Sequence, residues 1–238
     1  MATEACIFSP LSRDARRPFR RDMRWVFCAL LVWAGPLRAC ETALILMIDV
    51  SNSIDPGEYR LQVDGMADAL LDAEVTEALV QGQVALAVMQ WSGPDQQEIS
   101  LAWAQMRAPL DVTRFAAAAR ALPRAFYMSD TAPAEALEAA LAYFAEAPSC
   151  LRRVIDVSGD GTPNAGGDVR PLPRRAERMG VTINGIAIEA EGRSLAISGF
   201  YERVLTTRDG FTLTARGYDD YPRAIRAKIL REISRVLG

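Results

Sequence analysis

From Thr42 onward the chain alternates apolar runs of strand length with amphipathic stretches of helix length, and this alternation decides the class of fold. Thr42 to Ile48 is a continuous apolar run ending at an acidic loop, as expected of a strand buried on both faces. Pro56 to Leu71 reads as a helix, with Asp55 as N-cap and Pro56 at the first helical position, where a missing N–H costs nothing. Further strands are expected at Val84–Trp91, Glu98–Trp103, Arg153–Ser158, Val181–Ile188 and Phe211–Thr214, the first two parted by the turn-rich Ser92-Gly93-Pro94-Asp95. Helices are expected at Asp111–Leu122, Ala132–Ala145 and Val169–Met179, with a short one around Phe200–Leu205 and an amphipathic one from Tyr218 to Val236. The fold class is therefore α/β, doubly wound, with a mainly parallel six-stranded sheet covered by helices on both faces. Ligands of such sheets bind beyond the carboxyl ends of the strands, so the loops after Ile48 and Ser158 are the first places to read for chemistry.

Composition narrows that chemistry. No histidine occurs in the chain, so neither a Ser/His/Asp nor a Cys/His catalytic set is available, and imidazole zinc sites are excluded. Lys228 is the only lysine, every other basic residue is arginine, and alanine is abundant, the bias of a GC-rich bacterial genome. Residues 1–39 hold seven basic and three acidic residues, leaving 20 basic against 27 acidic, a net charge of −7, in the remainder. An acidic body repels phosphate backbones, so no nucleic-acid partner is expected. Arg174-Arg175 and the C-terminal arginines read as complements to helix ends, and Glu189-Ala190-Glu191-Gly192 and Asp219-Asp220 as solvated surface.

The N-terminus reads as an address. Arginines from Arg13 to Arg24 precede an apolar run, Trp25 to Ala34, and small residues follow before Cys40, the layout of a secretory signal over residues 1–39. Ten apolar residues fall short of the roughly 20 that span a bilayer, so no stable membrane span is expected in the mature protein. Met23 is an alternative start, and Arg16-Arg17-Pro18-Phe19 resembles part of a twin-arginine signal. The mature protein would be periplasmic or secreted. Leu37-Arg38-Ala39-Cys40 also looks like a lipoprotein box, although Arg38 beside the cut argues against it. Removing residues 1–39 leaves Cys40 and Cys150 as an even pair in an oxidising compartment, which favours a disulfide over lipidation at Cys40.

The loop after the first strand is Asp49-Val50-Ser51-Asn52-Ser53, the loop after the fourth begins Ser158-Gly159-Asp160-Gly161, and Ser129-Asp130-Thr131 stands before an alanine-rich helix. In these residues and their order the mature chain, residues 40–238, resembles the von Willebrand factor A family. Its metal-ion-dependent adhesion site joins a D-x-S-x-S loop, a distant Thr and a later Asp-Gly. Glu58 to Gln62, Arg152 to Gly161 and Thr182 to Gly185 look like an exported bacterial branch of that family, DUF1194-like. The resemblance implies one Mg²⁺ or Mn²⁺ held directly by Ser51 and Ser53, with Thr131 direct or through water, and Asp49 and Asp160 acting through water or hydrogen bonds to the hydroxyls. It further implies a protein ligand that supplies a carboxylate, because an ion held mainly by neutral hydroxyls keeps its positive character.

Each residue also has a plainer role to weigh. Asp and Ser cap helices and build turns, Asp-Gly is an ordinary turn pair, and Thr131 can be an N-cap, with Ser129 and Asp130 as rival oxygen donors. Asp156, an acid inside a strand, is expected to bond to polar groups of the neighbouring strand such as Thr182 or Asn184, and Trp91 to be core. In this topology the first and fourth strands are parallel neighbours. Cys40, nine residues before Asp49, and Cys150, ten before Asp160, would then meet at the opposite edge and pair. The competing functions are a metal-dependent phosphoesterase, which lacks a second Asp in an Asp-x-Asp opening and any phosphate loop, and a metal-free scaffold. No enzymatic activity is expected.

Overall fold

The computed structural model describes residues 40–189 and 197–233; the expected leader over residues 1–39, the surface reading of Ala190, Glu191 and Gly192, and the end of the last helix lie outside the described residues. Six strands form one sheet in the order β3-β2-β1-β4-β5-β6. They are β1 (Cys40–Asp49), β2 (Ala85–Trp91), β3 (Gln97–Gln105), β4 (Cys150–Gly159), β5 (Val181–Ile188) and β6 (Thr212–Ala215). All neighbouring pairs are parallel except β2 with β3, which run antiparallel.

Alternation along β1 shows why both faces are covered. Leu44, Leu46 and Ile48 point into one core, shared with α1 (Pro56–Leu71), α2 (Ala73–Gln81), α3 (Pro109–Arg120) and α7 (Tyr221–Ile233). Ala43, Ile45 and Met47 point into the other, shared with α4 (Pro133–Tyr143), α5 (Leu172–Arg178) and the segment beginning with α6 (Ile197–Phe200). Side chains of a strand alternate between faces, so a strand with helices on both sides reads as an unbroken apolar run. Trp91 is fully buried in the second core, as expected.

Cys40 and Cys150 face each other across β1 and β4, with Cα atoms 4.5 Å apart, and are joined by a disulfide. The bridge ties the amino-terminal ends of the two central strands. Closing a loop with a sequence separation of 110 residues stabilises a fold by about 4–5 kcal/mol in the chain-entropy account. At the opposite end, the chain leaves β1 toward β2 on one side while β4 lies on the other. The switch point of the sheet therefore opens above β1 and β4.

Three sequence expectations are corrected. Helix α2 was not anticipated: Asp72 starts it by accepting from the amides of Glu74 and Val75, immediately after α1 ends. Glu189 is not simply solvated, since its carboxylate accepts from the Ser198 amide at 2.9 Å. Asp156 does not bond to Thr182 or Asn184. It forms an ion pair with Lys228 of α7, which also binds Glu232 at 2.6 Å, while the Asn184 amide donates to Glu232 at 2.7 Å. Sequence order hides this partner because α7 closes back over the sheet from the far end of the chain.

Candidate metal site

Three loops meet above the switch point and are sewn together by the backbone. The Val50 amide donates to the Trp91 carbonyl at 2.9 Å, extending the β1–β2 pairing into the loop that carries the serines. The Asn52 amide donates to the Ser129 carbonyl at 2.8 Å, the Ser92 hydroxyl to the Asp130 carbonyl at 2.9 Å, and the Ala132 amide to the Ser92 carbonyl at 2.8 Å. The Thr131 amide donates to the Asn164 side-chain carbonyl at 2.7 Å, and the Asn164 amide returns to the Thr131 carbonyl at 3.1 Å. Arg124 completes the frame, its guanidinium donating to the carbonyls of Val50, Ser51 and Ile54 at 2.9, 2.8 and 2.7 Å. Directly after the serines, Asp55 and Glu58 exchange backbone-to-carboxylate bonds of 2.8 Å, a capping box that fixes the start of α1.

Four of the five anticipated residues form a continuous polar cluster in this frame. The Ser51 amide donates to Asp49 Oδ1 at 2.8 Å, the Ser51 and Ser53 hydroxyl oxygens stand 3.1 Å apart, and the Ser53 hydroxyl donates to Asp160 Oδ1 at 2.6 Å. Asp49, Ser51 and Asp160 are buried, whereas Ser53 is exposed, so the cluster opens to solvent on one side. Thr131 is buried beside Gly161: a β-carbon on that glycine would stand 3.9 Å from the threonine hydroxyl. It is not the capping residue of α4, which is Ala132. Its rivals are placed elsewhere. The Ser129 hydroxyl is bonded to Gln96, and the Asp130 side chain is exposed.

The electrostatics of the cluster are one-sided. Burial pushes the Asp49 carboxyl up from 3.8 to about 7; the Ser51 amide and hydroxyl pull it down, the Asp160 charge raises it, and Arg124 lowers it. Burial, then the charges of Asp49 and Asp160, also hold the Tyr201 phenol well above its ordinary value. Tyr218 is raised for the same reasons, burial first and the Asp160 charge next. Asp49 Oδ2 is buried and has no hydrogen-bond partner among the described residues. The buried Asp49 carboxylate, one oxygen of which has no hydrogen-bond partner among the described residues, meets a guanidinium that is spent on three carbonyls, a costly arrangement unless a further positive charge joins it.

A divalent cation fits this deficit and this donor set. Adjacent ligands of an octahedral Mg²⁺, each about 2.1 Å from the ion, stand about 3.0 Å apart. The two serine oxygens stand at 3.1 Å. Among the described residues no group of three or more His, Cys, Asp or Glu side chains is placed to hold a metal, so hydroxyl oxygens would have to supply the direct contacts.

A family model described as "Protein of unknown function (DUF1194)" matches residues 39–237. The chain belongs to the DUF1194 family. No curated protein matches this DUF1194 chain. Its fold is shared with von Willebrand factor A proteins of known structure. Proximal thread matrix protein 1 from the mussel byssus, solved with a zinc-occupied MIDAS motif, is 17% identical over 82% of this chain and 46% of that one, with a TM-score of 0.58. The pilus adhesin SpaC from Lactobacillus rhamnosus GG is 13% identical over 81% of this chain and 30% of its own length, with a TM-score of 0.56. A von Willebrand factor type A protein from Catenulispora acidiphila is 15% identical over 82% and 43%, with a TM-score of 0.54. The DUF1194 chain spans less than half of each of these proteins, and at such identities the likeness concerns the fold.

Residues beyond the five anticipated ones shape the site as well. Gly159 is one: a β-carbon there would lie 2.6 Å from the Tyr201 hydroxyl and 2.8 Å from Asp49 Oδ2, so its bare backbone lets the phenol and the carboxylate approach. Gly159 was legible within Ser158-Gly159-Asp160-Gly161, but its role was not. Arg124 and Tyr201 carry no local signal. They reach the site from 70 or more residues beyond Ile54 and from the other side of β5.

Proposed function

We propose that the chain is an exported protein-binding module that holds one Mg²⁺ or Mn²⁺ and engages a carboxylate of a protein ligand through it. Ser51, Ser53 and Thr131 would hold the ion, with Asp49 and Asp160 behind them as acceptors of hydrogen bonds from the hydroxyls and from bound water. When bound, the ion supplies a Lewis-acidic position for an anionic oxygen. The residues of this chain fix the hydroxyls and exclude bulk water from the carboxylates beneath. The observation that carries the reading is the Asp49–Ser51–Ser53–Asp160 cluster, in which a buried carboxylate oxygen lacks a partner and two hydroxyls stand 3.1 Å apart.

Three features support binding in place of catalysis. The chain has no histidine, Asp49 is fully buried beneath the serines, and Asp160 is engaged by the Ser53 hydroxyl. Beside the cluster, Tyr127 and Met128 are 64% and 90% exposed, an apolar ledge of the kind that interfaces cover. The Cys40–Cys150 bridge fits an oxidising compartment, periplasmic or secreted, with residues 1–39 as the leader. Among the described residues no helix is long and apolar enough to cross a membrane. The zinc-occupied MIDAS motif of the mussel protein and the adhesin among the similar folds are consistent with the reading.

Calorimetric titration of the purified chain with Mg²⁺ and Mn²⁺ tests it. Saturable binding of one ion is expected for the wild type and loss of that binding for Asp49→Ala and for Ser51→Ala/Ser53→Ala, with folding verified by circular dichroism. Equal binding by the variants would assign the ion elsewhere, and no binding by the wild type would make the chain a metal-free scaffold.

A further inference from the structure

A second site is built on the flank of α5, independent of the cation reading. A cleft of about 710 Å³ lies between α5 and the segment that follows α6, within the size range of small-molecule sites. Its walls are unusually basic for an acidic body. Arg170, Arg174 and Arg178 follow at intervals of four residues and so share one side of α5 and its leading turn, while Arg203 and Arg208 face them across the opening.

The charges are poorly compensated. Arg170 is paired with Asp168 at 2.8 Å. No ion pair of Arg174, Arg178, Arg203 or Arg208 is found among the described residues, and all four side chains are exposed. Glu177 is the one acidic residue of the wall among the described residues, and its Oε1 accepts from the Arg208 backbone amide at 2.8 Å. Four guanidiniums against one carboxylate leave three positive charges focused in a recess, where a concave wall strengthens the local field. Arg174, one of the pair read from sequence as helix-end complements, lines this cleft.

We infer that this cleft binds a small ligand carrying several phosphate-type oxyanions. Guanidinium is a planar fork suited to paired hydrogen bonds with tetrahedral oxyanions, and a phosphate group can take more than one such fork at a time. A single carboxylate would neutralise only a third of the excess charge, whereas two or three linked phosphates match it. The recess is of small-molecule size, so the charge is gathered in a pocket and not spread over a plane.

The experiment uses the full chain in EDTA, which removes the cation site from consideration, and inorganic tripolyphosphate as probe. Saturable binding that weakens about tenfold in Arg178→Ala and in Arg203→Ala is expected, as for the loss of a hydrogen bond between charged groups. Arg114→Ala, an exposed arginine on α3, is expected to bind as the wild type does. Phosphatidylglycerol vesicles identify the source of the phosphate. Sedimentation with vesicles that tripolyphosphate competes away marks a lipid headgroup as the ligand, and tripolyphosphate binding without vesicle binding marks a soluble oligophosphate. No tripolyphosphate binding, an equal loss in Arg114→Ala, or a polyglutamate peptide that binds as tightly would overturn the inference.

Discussion

Asp156 lies within β4 and Asp160 follows the last residue of that strand, and both carboxylates are buried, yet the protein treats them differently. Asp156 and Glu232 receive a cation from the chain itself, the ammonium of Lys228, fully buried between them. Asp160 accepts from the Ser53 hydroxyl, while Asp49 receives the Ser51 amide and the influence of Arg124, and its other oxygen receives no hydrogen bond from the described residues. A carboxylate pair that folding must satisfy is given a tethered cation. At the mouth of the switch point Asp49 keeps a buried oxygen that no described residue satisfies, which is the state a site needs if it is to take up an ion from solution.

Removing the tethered cation should have the largest effect. Lys228→Met leaves Asp156 and Glu232 buried without compensation and is expected to cost about 3–5 kcal/mol in urea unfolding. Adding Asp156→Asn and Glu232→Gln to that variant should recover most of the loss. Gly159→Ala comes next, because its β-carbon would collide with Tyr201 and Asp49. It is expected to cost about 1–3 kcal/mol, as overpacking does, and to abolish Mn²⁺ binding measured by calorimetry.

Asp49→Asn should act in the opposite direction. In EDTA, thermal unfolding should show a gain of about 1 kcal/mol, since a buried carboxylate without a matched partner is removed. Added Mn²⁺ should stabilise the wild type and leave this variant unchanged. If Asp49→Asn is as destabilising as Lys228→Met, the two clusters are alike and the contrast fails.

The smallest effect concerns pH. Glu232 shares one ammonium with Asp156, and Asn184 is its other side-chain partner, with the Arg152 guanidinium on its backbone carbonyl. Burial raises the Glu232 carboxyl from 4.5 to about 7, against the pull of Lys228. The folded state then holds this proton more tightly than the unfolded chain. Its contribution is complete below pH 4.5 and is lost as pH rises through about 7. Stability measured across that window should fall more steeply in the wild type than in Glu232→Gln.

The two clusters were unequally legible. Local patterns carry the sheet, since β1, β4 and β5 are apolar runs bounded by turns, and they carry the start of α1, since Asp55, Pro56 and Glu58 are a self-contained helix opening. The Asp49–Ser53 loop and Asp160 could be read because each motif lies at the end of a strand whose place in the sheet follows from the alternation. Cys40 and Cys150 could be paired once β1 and β4 were neighbours. Lys228, Arg124 and Tyr201 could not be found this way. Each acts through a side chain that arrives from another element, and nothing in its own sequence neighbourhood records the destination. Helix α2 was missed because it follows α1 with only Asp72 between them, so no loop signal separates the two.

The most direct test of the central claim is anomalous diffraction at the manganese edge from crystals of the chain grown with Mn²⁺. One peak within bonding distance of both Ser51 Oγ and Ser53 Oγ is expected, and none beside Lys228. A peak elsewhere, or an ion-free Ser51–Ser53 pair at saturating Mn²⁺, would contradict it.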